Sequence, residues 1–502
     1  MSAAAFASAW PSSDEYAARM RGRSLALIAC AMAIALVYAG LLVTSGGSLL
    51  LLAPLAATLV AAAIVRRPVV GLYLLAAAAV LLEQFDLPKN TPLTAQTHIY
   101  QNLSSFTSIP LRLSVMDLLV VLTLASWAGW RIAKRERIDV GPYAGAVALY
   151  VGAFGLGTVI GIARGPAWDS GAALNELRGP VYLGVLYVLA ADLVRERRQI
   201  AVIVWTFLVL VTVKAIQGIT TYLASPGRYD EVTGHEDVIF FNAAIALVIV
   251  AVVLGLRTRI TVALVGITPA LLLAELFTQR RQGFVAFGLL AVAITLLFLL
   301  HRPRRGIVLA AVGVLAIAAY LPLFWDDNGP IGQPIRAVRA ATGDRDVSVR
   351  DQLSDRWRVV ENSNIAFTMR QVPLTGVGVG QMYFLRQEPP RLPASFTYWQ
   401  YETHNALLWL WLKAGPLGAL ALWYLVARVV TTGAAIWTRL GSDELRLLAT
   451  LPIAFLLGQI VFSAVELGLT YSRTMVMLGV ALGTGAYFAR ALRAPSAARV
   501  AG

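Results

Sequence analysis

The residues Tyr401-Glu402-Thr403-His404-Asn405 close a polar segment that begins near Trp325, and the apolar run Ala406-Leu-Leu-Trp-Leu-Trp-Leu follows at once. This polar segment, residues 325–403, is the one long interruption in a chain made mostly of apolar runs. The surrounding sequence decides whether this segment and its histidine lie in water or in the membrane.

The composition excludes a soluble protein. Of the 502 residues, 58% are hydrophobic and 14% are charged, and the mean hydropathy is +0.69. A soluble domain carries roughly 25% charged residues. Apolar runs of about 20 residues are typical of membrane-spanning helices, whereas a β-barrel shows alternating segments of about 10 residues. The sequence therefore predicts an all-α polytopic membrane protein.

We expect about 14 transmembrane helices and one large extracytoplasmic loop. The apolar runs lie near residues 24–44, 48–65, 69–82, 113–133, 140–163, 178–194, 200–223, 238–256, 259–278, 283–300, 306–324, 404–430, 445–465 and 472–490. The predicted organisation comprises an N-terminal tail (1–23), about eleven helices (24–324), the loop (325–403), about three helices (404–493) and a C-terminal tail (494–502). The first run is long and no A-x-A-like cleavage site obviously follows it, so we expect an uncleaved span rather than a secretory signal.

The net charge of +14 is concentrated in short loops between the spans. Every second connection is basic, as at Arg66-Arg67, Arg131 to Arg137 and Arg195 to Arg198. The positive-inside rule places these loops and both termini in the cytoplasm, and residues 325–403 on the other side. No aromatic-plus-basic module is visible, so no nucleic acid partner is expected. The single cysteine, Cys30, excludes an internal disulfide and a cysteine-based metal site.

Several cationic residues fall on the predicted external side, against this charge bias. Arg280 and Arg281 stand in a short turn between two spans. Ionisable groups so close to the bilayer are costly and often functional; the alternative is that they snorkel to lipid phosphates. Arg178, at the start of a span, is either functional or an interfacial anchor.

The polar segment itself contains an expected amphipathic helix near residues 351–371. Arg358 and Glu361 lie three apart on it, where an i,i+3 ion pair is the alternative to a functional role. The run from Gly376 to Gly380, with glycine at every second position, lacks the Lys-Ser/Thr of a phosphate-binding loop. It predicts either a simple turn after Pro373 or a close backbone approach to phosphate or sugar.

Four pieces of the sequence, taken in order, resemble a known family. They are the turn at Arg281; Arg358 followed by Pro373 and Leu374-Thr-Gly-Val-Gly378; Thr403-His404-Asn405 with Leu407 and Leu408; and Gly415-x-x-Gly418. Over residues 259 to about 430 the chain is similar to the O-antigen ligase and O-antigen polymerase superfamily of bacterial envelope enzymes. Such enzymes reside in the bacterial inner (plasma) membrane.

The resemblance implies a glycosyltransferase reaction without a cofactor or a metal. The donor is a glycan on undecaprenyl pyrophosphate, and the acceptor is a hydroxyl of a glycan or of a lipid-linked sugar. Guanidinium groups suit a pyrophosphate leaving group, since they stabilise its developing charge. The resemblance assigns that role to Arg281 and Arg358, with Arg280, Arg356 and Arg178 in support.

The same resemblance makes His404 the general base that takes the proton of the acceptor hydroxyl. Asn405 and Glu402 are expected to orient it, and the nearby guanidiniums to lower its pKa. Attack opposite the leaving group would invert the anomeric centre. Membrane lipid must bind as well, because the polyprenyl tail needs an apolar groove.

The sequence departs from the family pattern at three positions. Arg280 precedes Arg281 where a small hydroxyl residue is usual, and Arg356 lies two residues before Arg358, so that either member of each pair can hold the role. Lys413 takes a place where an acidic residue is common.

Two other classes of function stay open at this point. A transporter, such as a lipid-linked oligosaccharide flippase, would use ionisable residues inside its spans, for which Lys214, Glu275 and Lys413 are the candidates. A non-catalytic assembly subunit would tolerate the loss of His404. The position of the candidate arginines at one membrane surface, beside a segment of nearly 80 residues (325–403), favours the enzyme.

Overall fold

The structure is a computed structural model that describes residues 32, 37, 52–85, 92–108, 110–224, 232–327, 329–341, 349–390 and 398–493. Within these ranges the chain is helical and contains no β-strand, only an isolated bridge between Asn102 and Ser114. The predicted tails lie outside the described residues, as does the first predicted span except for Met32 and Val37. The chain divides into two compact units, residues 1–66 and 67–502, and the second holds every candidate site residue.

The helices are numbered here in chain order. Their bounds are α1 Leu52–Arg66, α2 Pro68–Leu81, α3 Leu103–Phe106, α4 Val115–Lys134, α5 Ala144–Ala163, α6 Ser170–Leu193, α7 Arg197–Ala224, α8 Asp237–Leu254, α9 Arg259–Phe277, α10 Arg281–His301, α11 Pro303–Leu323, α12 Gln333–Ala341, α13 Val349–Gln371, α14 Ala406–Arg439, α15 Asp443–Ser463 and α16 Ser472–Arg493. Side-chain caps begin several of them. Ser114 and Asp117 form a capping box at α4, and the Asp169 side chain accepts from the backbone of α6.

Ten of these helices are long and apolar enough to cross a membrane, so the predicted class is confirmed while the count of 14 is not. The predicted runs at 48–65 and 69–82 correspond to the shorter helices α1 and α2. The run at 178–194 covers the last two thirds of α6, and Asn175 and Glu176 lie just before it while Arg178 begins it. These polar residues lower the hydropathy of α6, and their partners lie on other segments: Asn175 donates to Glu402, Glu176 pairs with Lys413, and Arg178 pairs with Asp117.

The second unit is built around three largely buried helices, α8, α15 and α16. α16 packs along α6 through small residues: a Cβ on Gly479 would lie 2.7 Å from the Leu183 carbonyl oxygen, and one on Gly483 would lie 2.5 Å from the Ala190 Cβ. Such close backbone approach is how membrane helices associate without a hydrophobic driving force. α11 lies at the periphery, with most of its apolar side chains exposed.

Ion pairs connect the helices at both ends of the bundle. At one end, Arg131 pairs with Asp192 at 2.5 Å, and Arg302 with Asp443 at 2.8 Å. We call this the basic end, since the arginine-rich loops predicted to be cytoplasmic lie there. The opposite end, called the site end, holds the ends of α2, α7, α9 and α15 and the beginnings of α6, α8, α10, α14 and α16.

The polar segment between α11 and α14 contains α12, which contacts α10, and α13, which contacts α14. α13 covers residues 349–371, so the helix predicted near 351–371 is confirmed. After α13, residues 374–381 insert between helices α5, α6 and α14. Three backbone N–H groups of this stretch donate to those helices: Val377 to the Leu412 carbonyl at 2.7 Å, Val379 to the Gly157 carbonyl at 2.9 Å, and Gly380 to the Glu176 carboxylate at 2.6 Å.

The glycines of this stretch serve helix packing. Gly378 has φ +93°, and a Cβ on it would lie 2.3 Å from the Gly161 nitrogen. On the partner side, α14 breaks at Gly415, where φ is +63° and ψ is −161°, and a Cβ there would lie 2.2 Å from the Leu374 carbonyl oxygen. Only glycine adopts this conformation readily. The close backbone approach considered from the sequence is thus made to α5 and α14 of the chain itself.

Candidate active site

The inward face of α13 carries polar side chains at helical spacing. Trp357, Glu361, Asn364 and Thr368 recur every three or four residues, and all are buried. Asn364 accepts from the backbone N–H groups of residues 386 and 387 and donates to the carbonyl of residue 387. The Thr368 hydroxyl accepts the backbone N–H of residue 384. The C-terminal turns of α13 therefore bind the loop that follows the helix. Glu361, one turn earlier, contacts a different segment.

Glu361 contacts His404 with both of its carboxylate oxygens. Oε1 lies 3.2 Å from the ring nitrogen Nδ1, and Oε2 accepts the backbone N–H of His404 at 3.0 Å. Because a carboxylate only accepts, this contact is a hydrogen bond when Nδ1 carries the proton, and the lone pair of a neutral ring is then on Nε2. The Trp357 ring lies edge-on, 6.5 Å from the imidazole. The i,i+3 ion pair between Arg358 and Glu361 considered from the sequence is not formed, since each has another partner.

The pKa of His404 lies above its ordinary value. Burial lowers this pKa, but the hydrogen bond and the charge of Glu361, with a contribution from Glu466, outweigh both burial and the positive charge of Arg358. The expected lowering by nearby guanidiniums was therefore wrong in its net direction. The arginines are present, but the direct contact of the Glu361 carboxylate with the ring outweighs their effect on the pKa.

Charged groups form an alternating row beside this pair. Arg358 Nη2 donates to Glu466 at 2.9 Å, and its Nη1 lies 3.6 Å from Asp355. Asp355 also pairs with Arg281 at 3.3 Å. Arg281 and Arg358, two of the cations predicted to bind pyrophosphate, are thus brought to one place with one carboxylate between them.

Glu466, in the connection between α15 and α16, is buried among basic groups. Burial of its carboxyl raises the pKa, whereas His235, Arg358, His404 and Arg280 together lower it below its ordinary value. This places Arg280 within electrostatic range of the same site. Glu466 was missed from the sequence, although an acidic residue in a short connection between two apolar spans is itself a signal.

The remaining candidate arginines lie elsewhere. Arg356 is exposed on the outer face of α13, while Arg358 is half-buried. Arg178 is buried and pairs with Asp117 at 3.0 Å, and it also donates to Asn102. Its position at the start of α6 therefore serves the junction of α6 with α4, because the capping carboxylate of α4 takes the charge.

The two residues expected to orient His404 also have other partners. The Asn405 side chain caps α14 by accepting the N–H of Leu408 at 3.2 Å. Glu402 is buried and accepts from Asn175 at 2.5 Å. Burial and the neighbouring Glu176 raise the pKa of Glu402 to about 8, so it is mostly neutral at pH 7. The contact with the Nδ1 atom of the His404 ring is that of Glu361.

The ionisable residues inside the spans are paired. Lys413 contacts Glu176 at 2.6 Å and the carbonyl of residue 381 at 2.6 Å, all of them buried. Lys214 pairs with Glu83 and, at 3.3 Å, with Asp237. Glu275 lies 3.4 Å from the amide nitrogen of Asn242. Lys413 and Lys214 thus form internal ion pairs at the site end, whereas the contact of Glu275 is with a neutral amide.

One further charged residue was missed from the sequence. Arg473, fully buried at the start of α16, contacts three carboxylates at 2.7 to 2.8 Å. They belong to Glu83, Glu236 and Asp237. The group ties together α2, α8 and α16 at the site end, next to the connection that carries Glu466.

Comparison with known proteins relates this region to a family. The family model described as O-antigen ligase matches residues 267–423. Among curated proteins, none matches the chain significantly. The matched residues run from the middle of α9 through the first half of α14, and they include Arg281, Asp355, Arg358, Glu361 and His404. Residues 267–423, which hold the candidate site, are therefore similar to the O-antigen ligase family.

Proposed function

We propose that this protein transfers a glycan from undecaprenyl pyrophosphate to an acceptor hydroxyl at the extracytoplasmic face of the bacterial plasma membrane. The observation that carries the proposal is the position of the His404–Glu361 pair beside the Arg281–Asp355–Arg358 row, within the residues that are similar to the O-antigen ligase family. A proton acceptor and a group of cations at one membrane surface are the two requirements of the reaction.

The arginines serve the leaving group. Cleavage of the glycosidic bond leaves negative charge on the pyrophosphate, and fixed guanidiniums stabilise this charge in the transition state. Arg281 and Arg358 are both partly exposed, with side-chain exposures of 21% and 23%, so an anion reaches them from solvent. Arg280 adds charge nearby. Since these side chains supply the positive charge, we propose that no divalent metal is required.

His404 serves the acceptor. Its Nε2 takes the hydroxyl proton while the hydroxyl oxygen attacks the anomeric carbon, and the bond from that carbon to the pyrophosphate oxygen breaks. Attack from the face opposite the leaving group inverts the anomeric centre. The acceptor is either a lipid core sugar, as in a ligase, or a second lipid-linked glycan, as in a polymerase.

The proposed orientation in the membrane follows from the charges at the two ends of the bundle. The arginine-rich loops at the basic end face the cytoplasm, together with both termini. The site end and the segment 325–403 then face outward, where lipid-linked glycans present their sugars to water.

The proposal is tested with purified protein in liposomes. Glycan-loaded undecaprenyl pyrophosphate is supplied together with either a lipid core acceptor or a second lipid-linked glycan, with and without EDTA. We expect EDTA-resistant transfer to one acceptor, and loss of transfer in His404→Ala at unchanged protein abundance. Movement of the donor across the bilayer without transfer to any acceptor would identify a flippase and contradict the proposal.

A further inference from the structure

We infer that Glu361 is a positioning residue for His404, which keeps the proton on Nδ1 and the lone pair on Nε2. The kinetic consequence rests on the proposed function, in which His404 accepts a proton. The position of the proton on the His404 ring does not depend on the proposed function, and it can be measured in the protein without substrate.

The geometry constrains the imidazole at two points. The Glu361 carboxylate is fully buried and accepts two N–H groups of one residue, at 3.2 Å from the ring and at 3.0 Å from the backbone. The contact at Nδ1 fixes the orientation of the ring, and the contact at the backbone N–H fixes the position of the His404 backbone. The hydrogen-bond partner of one ring nitrogen decides which nitrogen of a neutral imidazole is basic.

Glu361 is better placed for this role than the other charged groups around the ring. Glu466 also faces His404, but it contacts Arg358 at 2.9 Å. Arg358 opposes protonation of the ring, and the Trp357 ring brings no charge. Among the contacts of the described residues, the ring contact at Nδ1 is that of Glu361.

A glutamine at this position cannot reproduce the arrangement. Both oxygens of Glu361 accept, whereas glutamine has one accepting oxygen and one donating NH2 group. If its oxygen keeps the backbone N–H of His404, its NH2 group faces Nδ1. The ring then places its lone pair on Nδ1 and its proton on Nε2, which is the wrong tautomer for a base that acts through Nε2.

The first readout is magic-angle-spinning NMR of 15N-histidine-labelled full-length protein in bilayers. The chain has four histidines, and the spectrum of His404→Gln identifies the signals of His404. At a pH where the ring is neutral, we expect Nδ1–H in the wild type and in Glu361→Asp, and Nε2–H in Glu361→Gln. The titration midpoint falls in Glu361→Gln, because burial and Arg358 are then opposed by the charge of Glu466 alone.

The second readout is the rate of glycan transfer as a function of pH. We expect kcat of Glu361→Gln to fall at least about 100-fold, with unchanged binding of undecaprenyl pyrophosphate. Asn364→Ala is the matched control, since this buried residue lies one turn further along the same face of α13 and contacts the loop at residues 386 and 387 instead of His404. It is expected to lower stability without moving the His404 tautomer or titration midpoint.

The outcomes separate this inference from the proposed function. An Nε2–H tautomer in the wild type, or an unchanged tautomer and midpoint in Glu361→Gln, overturns the positioning role even if that variant is poorly active. Wild-type protein without transfer to any acceptor, but with the expected NMR result, contradicts the proposed function and leaves the His404–Glu361 pairing supported. Full kcat in Glu361→Gln would also overturn the role.

Discussion

Asp355 lies where the pyrophosphate of the donor is proposed to bind. Its carboxylate is 3.3 Å from Arg281 and 3.6 Å from Arg358, and it is half exposed. An anion that bridges both guanidiniums must displace it. We therefore predict that Asp355→Asn, which removes the charge and keeps the size, strengthens binding of the donor.

The magnitude follows from the two ion pairs. Exposed pairs contribute about 0.2 to 1 kcal/mol each, and the exposure of Asp355 keeps both within this range. Two pairs that compete with the ligand therefore weaken its binding to the wild type by about 0.4 to 2 kcal/mol. Removing them corresponds to about a 2- to 30-fold lower Kd in the variant. The gain should shrink as salt rises, because screening weakens the pairs in the free protein.

The assay is binding of undecaprenyl pyrophosphate and of inorganic pyrophosphate to the purified protein at two salt concentrations. Glu388→Gln is the control, since it makes the same change of net charge at an exposed residue of the same polar segment. We expect a lower Kd for Asp355→Asn and not for Glu388→Gln. Weaker binding by Asp355→Asn would refute the reasoning and show that Asp355 holds the arginines in place for the ligand.

Three further predictions follow from the site and its support. Lysine in place of Arg281 or Arg358 should lower the transfer rate by about 10- to 150-fold at unchanged protein abundance, because it loses one charge-assisted hydrogen bond of the planar fork. The transfer rate should rise with pH through the pKa of His404, which lies above its ordinary value, so that the acidic limb of the pH profile lies above about 6.5; a limb below 6 would contradict this. Lys413→Met leaves the buried Glu176 without a counter-ion and should lower the free energy of unfolding by about 3 to 5 kcal/mol. The loss is measured as a lower thermal unfolding temperature, and adding Glu176→Gln should recover part of it.

Much of the fold was predictable because membrane-spanning helices are recognised in a sequence by their length and apolar composition. The ten long apolar helices all coincide with predicted runs. α6 shows the limit of this criterion, since Glu176 and Arg178 make it less apolar while Lys413 and Asp117 neutralise them inside the protein. A hydropathy value includes each charged residue but not the residue that neutralises it, because the two lie far apart in sequence.

The candidate site was predictable in part for the same reason. His404 and the arginines at 281 and 358 stand out as ionisable groups at membrane boundaries, and the structure brings these three positions close to each other. Which carboxylates pair with them was not predictable, because Glu361 and Glu466 lie 43 and 108 residues away in sequence from the groups that they contact. The contact of Glu361 with His404 also explains why the net direction of the His404 pKa shift differed from that expected from the arginines alone.

The most direct measurement of the proposed chemistry is the stoichiometry of the products in liposomes. Donor labelled in both glycan and lipid is incubated with acceptor, and the transferred glycan and the released undecaprenyl pyrophosphate are counted together. We predict one undecaprenyl pyrophosphate released for each glycan transferred by the wild type, and neither product from His404→Ala. Transfer by His404→Ala at the wild-type rate would contradict the assignment of His404 as the base and, with it, the mechanism built on this site.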